Sequence, residues 1–293
     1  MCDDYTSESD DANLARRGLT RREFAALSAS AAFAGCAGPS GGGEASAAGE
    51  LTESTVSITT TDGTADAFFV HPERGAYPAV IMWPDVAGLR ESKRIMARSL
   101  AAEGYAVLVV NQYYRGSVAP LLETFAEWRT PEGKAKISPL RRQLTPEAVT
   151  RDAEAFVAFL DAQKAVDTAR RIGSSGYCMG GSFTVRTAAA VPDRVGAAAS
   201  FHGGRLATDA PDSPHRLIGK TQASFLFAIA RNDDARDEDA KDTLRVAAEA
   251  AGRPAEIEVY PADHGWCVPD SPAWDADAAG RARDRMLALF AAL

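Results

Sequence analysis

The stretch Arg171-Ile172-Gly173-Ser174-Ser175-Gly176-Tyr177-Cys178-Met179-Gly180-Gly181-Ser182-Phe183-Thr184-Val185 decides the fold. Arg171 to Ser175 leans towards β structure and Ser182 to Ala190 suits a helix. Between them lies Gly176-Tyr177-Cys178-Met179-Gly180-Gly181, a Gly-x-Cys-x-Gly turn. A side chain lifted onto a sharp strand-to-helix turn needs strained backbone angles, so glycines must flank it where a Cβ would collide. The helix N-terminus behind the turn favours a thiolate, the form of cysteine that attacks. The backbone N–H after the cysteine is aimed where an oxyanion would develop. Glycine-rich turns and lone buried cysteines are common, so this turn means catalysis only if partners exist.

A thiol nucleophile needs a base, and the base needs an acid to orient it. The chain has four histidines: His71, His202, His215 and His264. In α/β-hydrolases the chain order is nucleophile, acid, histidine. Asp233 and Asp234 follow the apolar run Ala223–Ala230, and His264 follows the strand-like Ala255–Tyr260. Cys178, Asp233 or Asp234, and His264 therefore fall in that order, each at the carboxyl end of an expected strand. Asp263 is a third choice of acid, disfavoured because a direct neighbour of the histidine rarely faces its Nδ1. One of Asp233 and Asp234 is expected to cap a helix beginning near Ala235. No metal or other cofactor is implied, because the histidines and cysteines lack paired ligand spacing.

Around this stretch the chain alternates strand and helix. Thr55–Thr60 and Ala65–His71 read as a hairpin about Thr61-Asp62-Gly63. Ala79–Trp83 and Tyr105–Val110 are short apolar runs typical of buried strands. Ser92–Glu103 has helical spacing and stops at Gly104. Tyr113 to Leu144 shows no strong period and reads as an irregular insertion shaping the pocket entrance. Pro146–Gln163 reads as a helix capped by Thr145, and a terminal helix covers Trp274–Ala292. This rhythm implies an α/β fold, a mostly parallel twisted sheet with helices on both faces.

These residues resemble the dienelactone hydrolase (carboxymethylenebutenolidase) family, cysteine-dependent members of the α/β-hydrolase superfamily. The resemblance runs from about Thr55 to the C-terminus. Gly-Tyr-Cys-Met-Gly-Gly resembles the family's nucleophile turn, Ala230-Arg231-Asn232-Asp233 the segment of its aspartate, and His264-Gly265-Trp266 its His-Gly-aromatic signature. It implies Cys178, His264 and Asp233 as the triad, with Asp234 the alternative acid. Met82–Leu89 resembles the loop that sets an acidic residue beside the resting cysteine. The family commonly has glutamate there and this chain has Asp85. Val86 would then join Met179 in the oxyanion hole. Asn111-Gln112-Tyr113-Tyr114-Arg115 resembles the stretch whose arginine binds a substrate carboxylate, a match of planar, paired donors and acceptors. A second carboxylate-binding arginine expected after the histidine is missing from Gly265-Trp266-Cys267-Val268-Pro269. That departure counts against dienelactone itself as the substrate. His202 and Trp266 are expected to line or modulate the pocket.

A chain of 293 residues, 46% hydrophobic and 25% charged, is globular and long enough for one large domain. Its net charge of −8 leaves no basic face to neutralise nucleic-acid phosphates or to hold an anionic membrane surface. Thr20-Arg21-Arg22-Glu23-Phe24-Ala25-Ala26-Leu27 matches the twin-arginine export pattern. The uncharged stretch behind it, Phe24 to Gly35, is too short to span a bilayer. Phe33-Ala34-Gly35-Cys36 resembles a lipobox, which makes Cys36 the lipidation candidate. Without lipid, cleavage at a small residue would release the protein soluble. The expected organisation is a signal peptide over 1–36, a flexible linker over 37–54 and the hydrolase domain over 55–293. The location that follows is periplasmic or cell-envelope, with membrane attachment only through the lipid. Cys178 and Cys267 are both expected to be reduced in active enzyme.

The function expected is hydrolysis of a small carboxylic ester or lactone, an anionic one if Arg115 reads a carboxylate, by a monomer or dimer. Two alternatives stay open: a thioesterase or acyltransferase on the same triad, and an envelope binding protein with a vestigial site.

Overall fold

The computed structural model describes residues 4–20, 23–24 and 50–293. Eight strands form one sheet: β1 (Leu51–Thr60), β2 (Gly63–Pro72), β3 (Ala79–Trp83), β4 (Ala106–Val110), β5 (Ile172–Tyr177), β6 (Val195–Phe201), β7 (Ser224–Ala230) and β8 (Ala255–Tyr260). Their order is β1-β2-β4-β3-β5-β6-β7-β8. β3 to β8 run parallel, and the β1–β2 hairpin joins antiparallel through β2 on β4. This is the α/β-hydrolase arrangement expected from the sequence.

Strand residues sort by parity, as a period of two requires. Ala79, Ile81 and Trp83 face one core, and Val80 and Met82 the other. Helices Pro146–Asp161 (called α5 below), Met179–Ala190 (α6) and Ala240–Ala251 (α9) pack on the first face through Phe156, Leu160, Val185 and Leu244. Helices Glu91–Ala101 (α2) and Ala276–Phe290 (α10) cover the second through Leu100, Met286 and Phe290. The Thr145 hydroxyl accepts from the Ala148 N–H and Pro146 opens α5, as the sequence signals.

Three expectations change. β1 begins at Leu51, inside the stretch read as linker. The insertion is not irregular: it carries α3 (Phe125–Trp128) and α4 (Pro131–Arg141). Both are set by local capping rather than by a hydrophobic period. Thr124 and Glu127 form a capping box on α3, and Thr130 accepts from the Gly133 N–H at the start of α4. Finally, Asp233 and Asp234 cap no helix at Ala235. They end a single turn, α8 (Arg231–Asp234), and Asp239 precedes α9.

Residues 4–16, inside the segment read as leader, form helix α1 (Asp4–Arg16), which packs on the domain. Arg21, Arg22, Cys36 and residues 37–49 lie outside the described residues.

Candidate active site

The residues singled out by sequence sit at the carboxyl ends of neighbouring parallel strands: Asp85 and Val86 after β3, Cys178 after β5, His202 after β6, Asp233 after β7 and His264 after β8. An open parallel sheet presents its ligand crevice there, so adjacency in the sheet converts distant sequence positions into one cluster.

Cys178 has φ 55° and ψ −119°, a region an L-residue adopts only when its surroundings hold it there. The flanking glycines allow this. A Cβ on Gly176 would lie 2.1 Å from the Gly180 carbonyl oxygen, and one on Gly180 would lie 2.5 Å from the Trp83 oxygen. The Cys178 N–H donates both to the Phe201 carbonyl and to Nδ1 of His202, each at 3.1 Å. Met179 opens α6, so its N–H is one of that helix's orphan donors.

Nδ1 of His264 donates to Oδ2 of Asp233 at 2.7 Å, and the other side of the ring is hydrogen-bonded with Cys178. The loop is fixed from below by the His264 N–H on Oδ1 of Asn232, 2.8 Å. Burial favours neutral imidazole, but Asp233 and Cys178 outweigh it and push the His264 pKa up to about 10. The site thus favours the imidazolium form of His264. Asp234 instead binds Lys241 at 2.7 Å, and Asp263 binds Arg231 and Arg16. Of the three candidate acids, Asp233 is the one bonded to the His264 ring.

His202 is more than a pocket wall. It is buried in a left-handed conformation (φ 40°), with its ring centroid 4.6 Å from that of His264. Burial and the neighbouring His264 charge hold its pKa well below the ordinary histidine value. Because Nδ1 accepts from the Cys178 N–H, the proton of this neutral ring is on Nε2.

Two expectations for polar residues are corrected. The Asp85 carboxylate is not spent on the cysteine. Oδ1 accepts from the Ala87 N–H and Arg90 Nη1, and Oδ2 from Arg90 Nη2 and Lys93 Nζ, which fills its four acceptor positions. Burial opposes this charge, yet Arg90 and Lys93 keep the carboxyl far below the ordinary range. Arg115 does not reach the cavity. It is held by Asp62 and Asp152 on the hairpin side of the sheet, each at 2.6–2.7 Å. Trp266 is likewise not a lining residue. It is fully buried, stacked on Tyr260 and edge-on to His202, so it supports the rings behind the site.

A cavity of about 290 Å³ opens in front of Cys178, lined there by Val86 and Met179. The arginines on its wall are Arg141, Arg186 and Arg205. Arg186 is taken up by Asp212 at 2.9 Å. Sequence reading missed these, and it also missed Gln112. The buried Gln112 amide donates to the Asp85 carbonyl at 2.7 Å, and the Tyr113 hydroxyl donates to the Val86 carbonyl at 2.8 Å. Both lie in the quoted Asn111–Arg115 stretch, where two buried side chains after a strand end were a signal to be read. Cys178 and Cys267 are in no disulfide among the described residues, and burial pushes the Cys267 thiol up to about 12. Among the described residues no cluster of His, Cys, Asp and Glu could hold a metal ion.

What this arrangement can do chemically is acyl transfer: a nucleophile on an elbow, an imidazole in contact with it, a carboxylate behind the imidazole and backbone donors beside it.

Comparison with known proteins points the same way. The profile of the Dienelactone hydrolase family matches residues 65–293. A carboxymethylenebutenolidase of Rhodococcus opacus is 27% identical over 203 residues, covering 68% of this chain and 75% of its own. A Methylorubrum extorquens protein, described as a candidate carboxymethylenebutenolidase, is 28% identical over 270 residues, 89% of each chain. The crystal structure of a candidate dienelactone hydrolase from Klebsiella pneumoniae superposes with a TM-score of 0.71 at 25% identity. That match covers 83% of this chain and all of the other.

Proposed function

The chain belongs to the dienelactone hydrolase family, and from that premise we propose that it hydrolyses small carboxylic esters or lactones through Cys178, His264 and Asp233. The observation that carries this reading is the contact chain Asp233–His264–Cys178, with 2.7 Å between the first two.

The thiolate of Cys178 adds to the substrate carbonyl carbon while His264 holds the proton. The oxyanion is received by the N–H groups of Val86 and Met179. When the intermediate collapses, the C–O bond breaks, the imidazolium protonates the leaving alkoxide, and a thioester remains on Cys178. A water that gives its proton to His264 then adds to the thioester, and the carboxylic acid leaves with the thiolate restored. Asp233 fixes the tautomer and balances the imidazolium throughout. Arg115 is left out of this scheme, since its ion pairs with Asp62 and Asp152 occupy it elsewhere.

Hydrolysis of p-nitrophenyl acetate by the wild type and its loss in Cys178→Ala tests the nucleophile. Full activity in that variant defeats the assignment. We also propose export by the twin-arginine route, on the motif Thr20–Leu27, with Cys36 as the anchor residue. Fractionation of cells carrying Arg21→Lys with Arg22→Lys tests it. Unchanged export in that variant removes the proposal.

A further inference from the structure

Helix α1 carries a buried stripe of Thr6, Asp10 and Leu14, spaced four residues apart on one helical face. A carboxylate in the centre of such a stripe is unusual, because burying it costs free energy unless it is paired. Asp10 meets Arg129, the residue that follows α3, at 3.7 Å, and Asp11 binds the same guanidinium at 2.7 Å. α3 is itself part of the nucleophile's surroundings: Phe125 and Trp128 pack in one cluster with Val86 and Cys178.

The rest of α1 grips the loops that carry the acid and the base. Asn232, next to Asp233, donates to the Ser9 hydroxyl at 3.3 Å. Asn13 and Arg16 donate to Asp263, next to His264, at 3.1 and 3.2 Å. Arg17 reaches the Pro272 carbonyl. Asp10 lies between these two grips, next to Ser9 and about one turn before Asn13, and the charge of His264 is felt at its carboxyl group. Cys178 and His264 are almost without solvent exposure.

We infer that residues 4–17 are an intramolecular block of the active site: they hold the loops of Asp233 and His264 through Asn232 and Asp263 and lay the Asp10 and Asp11 carboxylates on Arg129, where an acidic substrate places its own carboxylate once the helix is displaced. The block rests on the hydrolase reading only for what it blocks. Its grip is weak by construction. An isolated helix of this length is marginal in water, and Leu14 is the one aliphatic residue in the stripe. Cleavage of the leader on export would remove the block.

The test uses the full chain with Leu14→Asp, which puts a charge into the docked stripe. Iodoacetamide labelling of Cys178, read by mass spectrometry of its peptide, is expected to quicken by about tenfold or more, with a matching rise in kcat/KM for p-nitrophenyl acetate. Faster amide exchange over residues 4–16 with unchanged labelling of Cys178 overturns the block. Faster labelling without any ester turnover keeps the block and fails the hydrolase reading instead. Asn13→Ala with Arg16→Ala, which removes the bonds to Asp263 together with the Arg16–Asn13 bond inside α1, should move the labelling rate in the same direction. For Arg129, Arg129→Met in the Leu14→Asp background should raise KM for mono-p-nitrophenyl succinate about tenfold and leave KM for p-nitrophenyl acetate unchanged. Equal effects on both esters overturn the carboxylate site.

Discussion

Gln112 holds the carbonyl oxygen of Asp85 at 2.7 Å, and the peptide unit it grips is the one whose N–H belongs to Val86. C=O and N–H of one peptide point in opposite directions. Anchoring the carbonyl therefore aims the Val86 N–H the other way, towards the cavity lined by Cys178. Gln112→Leu should lower kcat on p-nitrophenyl acetate by roughly tenfold to a hundredfold with KM little changed, below the loss of a whole oxyanion donor. A variant that raises KM alone would show that Gln112 shapes substrate binding instead.

Asp233 and Asp234 are adjacent yet differ in partner, His264 for one and Lys241 for the other. Asp233→Asn should cut kcat by about a hundredfold or more, whereas Asp234→Asn should leave it near wild type. The same pair gives a pH signature. The His264 pKa stands at about 10 in the fold, above its unfolded value near 6.5. Its ion pairing therefore contributes stability in full below about pH 6.5 and loses it as pH rises through about 10. Urea midpoints of wild type and Asp233→Asn should differ most at pH 6 and converge above pH 10. A gap that widens with pH would refute the pairing.

The elbow makes a steric prediction. A methyl group on Gly176 would meet the Gly180 oxygen at 2.1 Å and Thr184 Cγ2 at 2.7 Å, both inside the strand–helix crossing. Backbone cannot yield there without moving Cys178. Gly176→Ala should destabilise the domain by about 3 kcal/mol or more and abolish turnover. Thermal unfolding of the variant within about 1 °C of wild type would contradict the packing.

How far the sequence could be read follows from which forces act locally. Gly176, Gly180 and Gly181 punctuate a strand and a helix, and steric exclusion at a turn needs no knowledge of distant residues. The chain order of Cys178, Asp233 and His264 was legible because the parallel sheet places successive strand ends side by side. Arg115 misled because a guanidinium's partner is decided by tertiary contacts: Asp62 and Asp152 are distant in sequence and reach it only in the folded sheet. Asp85 misled for a different reason: its partners, Arg90 just before α2 and Lys93 in the first turn of α2, are near in sequence, but the loop between β3 and α2 decides that they fold back onto it. The helix α3 escaped because one turn is too short for an apolar period, and α4 because Ile137 and Leu140 are the only large apolar residues in it. Their caps, Thr124 with Glu127 and Thr130 before Pro131, were the readable signal. Nothing in the composition of residues 4–16 points to Asp263 or Arg129 as partners.

Arg90 is the buried hub between two segments of the site. Its guanidinium is shared by Asp85, which precedes Val86, and Asp270, which follows the His264 loop. Asp270 also accepts the Phe125 N–H at 2.9 Å, tying α3 to the same hub. Removing the cation leaves Asp270 without its guanidinium and the wholly buried Asp85 with Lys93 alone for a counter-charge. Arg90→Met should cost about 3–5 kcal/mol in chemical denaturation. Asp270→Asn with Arg90→Met should recover part of that loss, because the carboxylate left without its guanidinium goes with it while Lys93 keeps Asp85 paired. A double variant no more stable than the single one would show that the hub works through packing rather than charge.

The docked helix α1 carries its own pH dependence. Burial raises the Asp10 pKa to about 6, against the pull of Arg129 and His264 and with help from the like charges of Asp11 and Asp263. In the undocked chain the group returns to an ordinary value near 3.9. The docked state therefore binds the extra proton between those values. Docking is strongest below about pH 4 and weakens as pH rises through about 6, after which it is level. Amide exchange over residues 4–16, corrected for intrinsic chemistry, should show lower protection at pH 7 than at pH 5. Asp10→Asn has no carboxyl to titrate and should flatten that change. If Asp10→Asn retained the full pH response, the proton would have to sit on another group, and Asp10 would not be the titrating carboxyl of the interface.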